Sequence, residues 1–312
     1  MIVARVKSER GQALVLATVA MLMCFGMAAL VLDVGNWFRD KRRLQATSDA
    51  AALAGAQMLP DATAARGTAQ SYADQNGGDV AGADIVVTSQ YQSNDTIAVK
   101  AKRNSAGIFT KVIGVGGANI SATAKARVGP PEAALRVAPM VVYCGHNLIQ
   151  NCKDDNTPQF NVPTTLDFDK EGAPGAFGML NLSGGNGAPG SSEEAAWISK
   201  GFDKYLELGK YRSDPGAKFE SSNIGSALDA RVGTVLLFPV FDKLTGTGQN
   251  AEYNIIGWIG FKLTSWKVKG NTAELKGSFT TYIAQGILAK RSPGTGGVPS
   301  SLFGVRAIQL IE

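Results

Sequence analysis

The chain has 312 residues, of which 45% are hydrophobic and 18% charged, so it is apolar enough to fold and too weakly charged for a disordered polyelectrolyte. A single histidine, His146, excludes any zinc site that needs two and confines Ser-His-Asp or Cys-His chemistry to one imidazole. The net charge of +5 is no basic domain face: Arg5, Lys7 and Arg10 precede one apolar run, Arg39, Lys41, Arg42 and Arg43 follow it, and residues 131–312 balance acids against bases. This pattern fits membrane flanks and argues against a nucleic-acid partner.

Residues 13–32 carry no charge and are almost all Ala, Val, Leu, Met or Phe. As a helix they reach about 30 Å, the thickness of a bilayer's hydrocarbon core. A secretory signal has a shorter apolar region and a small-residue cleavage site, and here Leu32-Asp33-Val34-Gly35 follows instead. The expectation is an uncleaved transmembrane helix over 13–32 with the lipid bilayer as partner. The basic flanks nearly tie, so orientation rests on the short leader, residues 1–12, read as cytoplasmic, and on the foldable mass that follows the anchor. Asp33 stands where hydrocarbon gives way to the interface. Its charge there either faces water or pairs within a helix bundle. Trp37 and Phe38 fit a headgroup-level aromatic anchor.

A juxtamembrane helix is expected over 33–59. It has no proline before Pro60, and alanines cluster from Ala46 to Ala56. Leu44, Thr47, Ala51, Ala54 and Met58 share one stripe, whose small residues admit a close helix from a partner or from this protein's own domain. Residues 60–129 read as a small α+β module: a helix at 63–75 stopped by Asn76-Gly77-Gly78, strands at 84–90 and 96–102, a short helix at 106–113, and an alternating strand at 121–128. Gly129-Pro130-Pro131 marks a boundary.

Residues 132–312 read as a β-rich α+β extracytoplasmic domain. Strands are expected at 137–143, 234–241, 253–267, 274–284 and 305–311, with helices at 192–208, capped by Ser192, and at 224–232. Gly-, Pro- and Ser-rich connections fall at 184–191 and 292–301. The expected fold is thus a single N-terminal transmembrane α-helix continuing into a helix, then an extracytoplasmic α+β region with a β-rich C-terminal domain. Cys24 lies within the span. Cys144 and Cys152 are spaced to close a small disulfide loop in an oxidising compartment, or they stand as two separate thiols.

One stretch carries a more specific signal. It runs Gly11-Gln12-Ala13, the apolar span, Asp33-Val34-Gly35-Asn36, Arg42-Arg43-Leu44-Gln45, and Asp49-Ala50-Ala51-Ala52-Leu53-Ala54-Gly55-Ala56. In this order it resembles the N-terminal domain of TadG-like proteins of the bacterial tight-adherence (Flp) pilus system. The resemblance implies a single-pass inner-membrane protein with an extracytoplasmic domain. It also implies a non-enzymatic role in pilus assembly or a related surface apparatus, with other envelope proteins as partners through the membrane and juxtamembrane helices. Alternatives are a minor, pseudopilin-like fibre subunit and a surface binding module on a generic anchor. Two departures stand out. Prepilin-like relatives carry a glutamate five residues after a glycine cleavage point, where this chain has Leu16. The metal-binding Asp-x-Ser-x-Ser motif of some relatives' terminal domains is absent.

No catalytic constellation emerges, and no enzyme activity or cofactor is expected. Asp167-Phe168-Asp169-Lys170-Glu171-Gly172 starts like a calcium loop but has Gly178 where the twelfth-position glutamate belongs. Gly114-Val115-Gly116-Gly117 precedes a strand and lacks the Lys-Ser/Thr of a phosphate loop. Cys144 beside His146 suits a disulfide loop better than a thiolate nucleophile. Trp258, Phe261 and Trp266 fall in strand patterns, as sheet packing rather than a carbohydrate platform.

Overall fold

The computed structural model describes residues 10–114, 116–149, 152, 158–168, 178–184, 187–214, 218–247, 250–269, 272–288 and 303–311. The chain opens with a long apolar helix, continues with a shorter helix and becomes β-rich towards its C-terminus. It divides into two compact units. The first comprises residues 1–87, 97–125 and 310–312, the second 88–96 and 126–309. The division thus falls inside β-strands rather than at Gly129-Pro130, and residues 60–87 and 97–125 cluster with the preceding helix.

In the first unit, α1 (Arg10–Ala56) is one unbroken helix of 47 residues, about 70 Å at 1.5 Å per residue. Its apolar part has a mean hydropathy of 2.5 and is wholly exposed, which makes it a candidate membrane span. From Asp33 onward the same helix is packed. Leu44, Thr47, Ala51 and Ala54 of the expected stripe are buried, while Met58 stays exposed. The stripe is covered by α2 (Ala62–Gln75), which turns its buried Ala65, Ala69 and Ala73 towards α1. Asp61 caps α2 by accepting from Thr63 N and Ala64 N, both at 3.0 Å. At Gly55 an added Cβ would lie 2.9 Å from the Ala65 carbonyl and 2.6 Å from Ile97 Cδ1, so glycine sets how closely the helices approach. The strands β1 (Ile85–Thr88), β2 (Thr96–Ala106) and β3 (Gly117–Gly129) pair in the order β1-β2-β3. Along β3, Ala122 and Ala124 are buried in the expected alternation. The helix expected at 106–113 reduces to one 3₁₀ turn, Thr110–Ile113, because the backbone leading into it, from Ile108 to Thr110, bonds to Asp33 on α1 instead of to itself.

The second unit centres on a sheet. Its further strands are β4 (Pro131–Ala134), β5 (Val142–Tyr143), β6 (Pro163–Asp167), β7 (Leu206–Glu207), β8 (Gly209–Arg212), β9 (Val235–Thr245), β10 (Glu252–Lys269), β11 (Thr272–Thr280), β12 (Tyr282–Ile283), β13 (Gly286–Leu288) and β14 (Val305–Leu310). The main sheet runs β5-β9-β10-β11-β6, with β8 also on β10 and only β5–β9 parallel. A smaller sheet runs β13-β4-β7, and β12 pairs parallel with β14. Side chains of β9 alternate between two apolar clusters: Leu236, Phe238 and Val240 in one, Leu237 and Phe241 in the other. Register shifts in β10 between Asn254 and Gly257 reverse its phase, so Ile255 and Trp258 share a cluster although Trp258 is an odd number of positions further along.

Two expectations change here. The helix expected to reach Leu208 is α3 (Ser191–Lys200), which starts after an N-cap at Gly190, not at Ser192. It stops because Gly201 takes φ +76° and Phe202 exchanges backbone hydrogen bonds with Arg136 and Val137. A Cβ on Gly201 would sit 2.4 Å from the Arg136 carbonyl oxygen. The strand expected at 137–143 pairs as a strand only at Val142–Tyr143, with single bridges at Val137 and Met140, since Pro139 brings no N–H to a ladder. The remaining helix is α4 (Ser222–Asp229).

Candidate functional site

Asp33 does neither of the things its position suggested. It is 1% exposed and accepts three consecutive backbone N–H groups from a loop 75–77 residues away: Ile108 at 3.0 Å, Phe109 at 2.9 Å and Thr110 at 2.6 Å. Three N–H groups at the start of a turn have no helical partner of their own, and a carboxylate suits them well. Gly107 makes the turn tight: an added Cβ would meet Thr110 Oγ1 at 1.9 Å and Asp33 Oδ2 at 3.4 Å. The loop is therefore pinned to α1 at the residue that closes the apolar run.

Further polar residues continue this mounting along α1. Asp40 accepts from Ser105 Oγ at 2.5 Å and lies 3.8 Å from Arg103 Nη1. Arg103 in turn clasps Asp79, with Nε 3.0 Å from Oδ1. Lys41 Nζ donates to the Ser121 carbonyl, Gln45 Nε2 to the Thr123 carbonyl at 3.4 Å, and Ser48 Oγ to the Ala122 carbonyl at 3.3 Å. Gln45 also donates to Asp49 at 2.7 Å, and Thr47 Oγ1 to the Asn76 carbonyl at 2.8 Å. The apolar run thus passes into a helix stitched to backbone carbonyls by short polar side chains.

The residues singled out from the sequence take distinct places in this arrangement. Asp33, Leu44, Gln45, Asp49, Ala51 and Ala52 lie where α1 meets the rest of its unit, and Ala50 is half-buried beside them. Arg43 lies near Gly77, whose added Cβ would be 3.6 Å from Nε. Gly35 faces open space and Asn36 is half-buried. Gly11 and Gln12 lie in the first turns of α1, with Gln12 exposed. Residues 11–58 match the family model described as "Putative Flp pilus-assembly TadE/G-like". The match begins at the Gly11-Gln12 entry and ends with the stripe that α2 covers. No curated protein matches the chain. No solved structure matches it either.

Chemistry in the second unit centres on two further clusters. Cys144 and Cys152 are bonded, with Cα atoms 5.0 Å apart, so Cys144 has no free thiol to offer a nucleophilic role. Inside that loop His146 packs edge-on against Phe279, and its Nδ1 accepts from Leu148 N at 3.2 Å. Burial lowers its pKa. The other cluster was missed by sequence reasoning. Lys218 Nζ donates to Glu194 at 2.8 Å, to Asp214 at 2.9 Å and to the Pro189 carbonyl, so all three of its protons are engaged. Glu194 and Asp214 are fully buried. Burial, then the hydrogen bond to Asp214, pushes the Glu194 pKa up to about 8, so it holds a proton at neutral pH. Glu194 Oε2 and Asp214 Oδ1 are both buried without any other hydrogen-bond partner among the described residues. Every group in the knot is turned on its neighbours, and it ties α3 to the segment before α4.

Of the calcium-like sequence only Asp167 and Phe168 are described: Phe168 is buried against Phe219, and Asp169–Gly172 lie outside the described residues. Val115 and the 292–301 connection also lie outside them. Among the described residues no three His, Cys, Asp or Glu side chains are placed to hold a metal ion. Trp258 and Phe261 are buried in separate clusters, and Trp266 packs on that of Phe261 while its Nε1 donates to Asp229 at 2.7 Å.

Proposed function

We propose that this chain is a membrane-anchored, non-enzymatic component of a Flp/Tad-type pilus assembly apparatus. Residues 13–32 cross the inner membrane with the N-terminus inside, and the two folded units stand on the extracytoplasmic side. The observation that carries the reading is the family match over 11–58, which covers the apolar run together with the helix that mounts the first unit. The Cys144–Cys152 bond supports an oxidising compartment for the second unit. Leu44, Thr47, Ala51 and Ala54 of the stripe are already buried within the same chain, with only Met58 exposed at its end, which speaks against a fibre seam there.

The test is deletion of the gene in a host that makes Flp pili. Loss of surface piliation, restored by the full chain, is the expected result; unchanged piliation overturns the proposal. Recovery of the chain from sheared fibres would turn the reading towards a fibre subunit. The mass of the protein from a membrane fraction checks the anchor. A chain retaining residues 13–32 is expected, and a start beyond Leu32 would mean a cleaved signal.

A further inference from the structure

We propose that the loop at residues 107–110 is a second membrane contact, an apolar tip that Asp33 holds in the outer boundary of the same bilayer that α1 crosses. This rests on the spanning role proposed for residues 13–32.

The loop presents Ile108 and Phe109 outward, 63% and 42% exposed. Adjacent large apolar side chains at a loop tip normally turn into a core. Here the backbone bonds to Asp33 face them away from it. Phe109 and Thr110 line one open concavity of about 760 Å³ with Leu22, Phe25, Ala29 and Leu30 of α1. Those helix positions lie three to eleven residues before Asp33, about 5–16 Å back towards the middle of the apolar run. The tip therefore adjoins the membrane side of Asp33, and its apolar surface is continuous with the lipid-facing surface of the helix.

Backbone chemistry decides whether a loop can sit at that depth. An N–H without a partner in hydrocarbon costs several kcal/mol, which is why irregular segments avoid it. The N–H groups of Ile108, Phe109 and Thr110 all end on the Asp33 carboxylate, which removes that penalty along the tip. Exposed Lys111 follows directly and can reach headgroup phosphates. The occupant of the concavity is therefore phospholipid acyl chain rather than a protein segment. Two contacts, one helix and one loop tip, would fix the rotation of the first unit about the membrane normal, which a lone helix leaves free.

The test uses the full chain with Cys24→Ser, reconstituted in phosphatidylethanolamine/phosphatidylglycerol vesicles. An environment-sensitive fluorophore is attached at Ile108→Cys, Phe109→Cys, Met27→Cys or Ser71→Cys, in turn. Nitroxide-labelled lipids quench at shallow or deep positions. Expected are blue-shifted emission and strong quenching by the shallow lipid at 108 and 109, quenching by the deep lipid at 27, and none at 71. Quenching at 27 with none at 108 and 109 overturns the proposal and leaves the span intact. No quenching at 27 removes the span itself, and the proposal falls with it. Blue-shifted but unquenched emission at 108 would mean that protein covers the tip, which also overturns it. Adding Asp33→Asn should lower quenching at 108 and 109 while leaving 27 unchanged; no change there would remove Asp33 from the device.

Discussion

The first unit packs its helices and sheet through alanine and glycine: Ala51, Ala52, Ala65, Ala69, Ala73, Ala101, Ala122 and Ala124 are all buried, and Gly55 sits against the Ala65 backbone. The second unit fills its core with Trp258, Tyr253, Phe168, Phe219, Phe238, Phe261 and Phe279. Backbone approach limits one core, and side-chain volume limits the other. Small residues leave little apolar area to bury per position, so the first unit depends on close contact and on polar stitches from Asp33, Asp40, Lys41, Gln45 and Ser48. The second has area in excess and tolerates a buried polar knot.

The contrast can be broken most sharply in the second unit. Phe261→Ala removes a ring stacked on Phe238 at 5.5 Å and edge-on to Phe279 at 5.6 Å. It should cost about 4 kcal/mol, read as a lower denaturation midpoint for the full chain in detergent. Lys218→Met strips two buried carboxyl groups of their shared cation and should cost about 3 kcal/mol by the same measurement. Gly55→Val probes the opposite weakness: it adds volume where none is free and should cost about 2 kcal/mol, while the same change at exposed Gly67 should cost far less.

The smallest effect is a pH dependence. Glu194 is raised from 4.5 to about 8 by burial and by Asp214, with Lys218 the cation facing it. Between those values the folded chain keeps a proton that the unfolded chain has released. Stability of the second unit should therefore fall as pH rises through that window and level off above about 8. Glu194→Gln should flatten the slope in a melting series across that range. A wild-type profile already flat there would mean that Glu194 is ionised.

Much of the fold was legible because it rests on local rules. The apolar run, the alanine-rich continuation, the helix expected at 63–75 and the strand expected at 121–128, which alternates as far as Lys125 before Arg127 turns inward, each follow a local period. Boundaries set by distant partners were not legible. α3 ends at Lys200 because Gly201 and Phe202 meet Arg136 and Val137, over sixty residues away in sequence. β10 is a single long strand whose phase is reversed by bulges that an alternation count cannot locate.

The candidate site shows the same division. Asp33 was marked by its place at the end of the span, since a carboxylate beside hydrocarbon needs a partner. Nothing local named that partner as three N–H groups beyond residue 107. Nothing in the sequence marks Glu194 and Asp214, because burial of a charge depends on the residues that pack over it. Composition and period are properties of neighbouring residues, so the sequence alone determined that there is an apolar helix, where its apolar run ends, and that small residues line its continuation. Tertiary structure decided that α2 covers the stripe, that Asp33 holds a loop and that two buried acids share a lysine, because each depends on residues brought together only when the chain closes on itself.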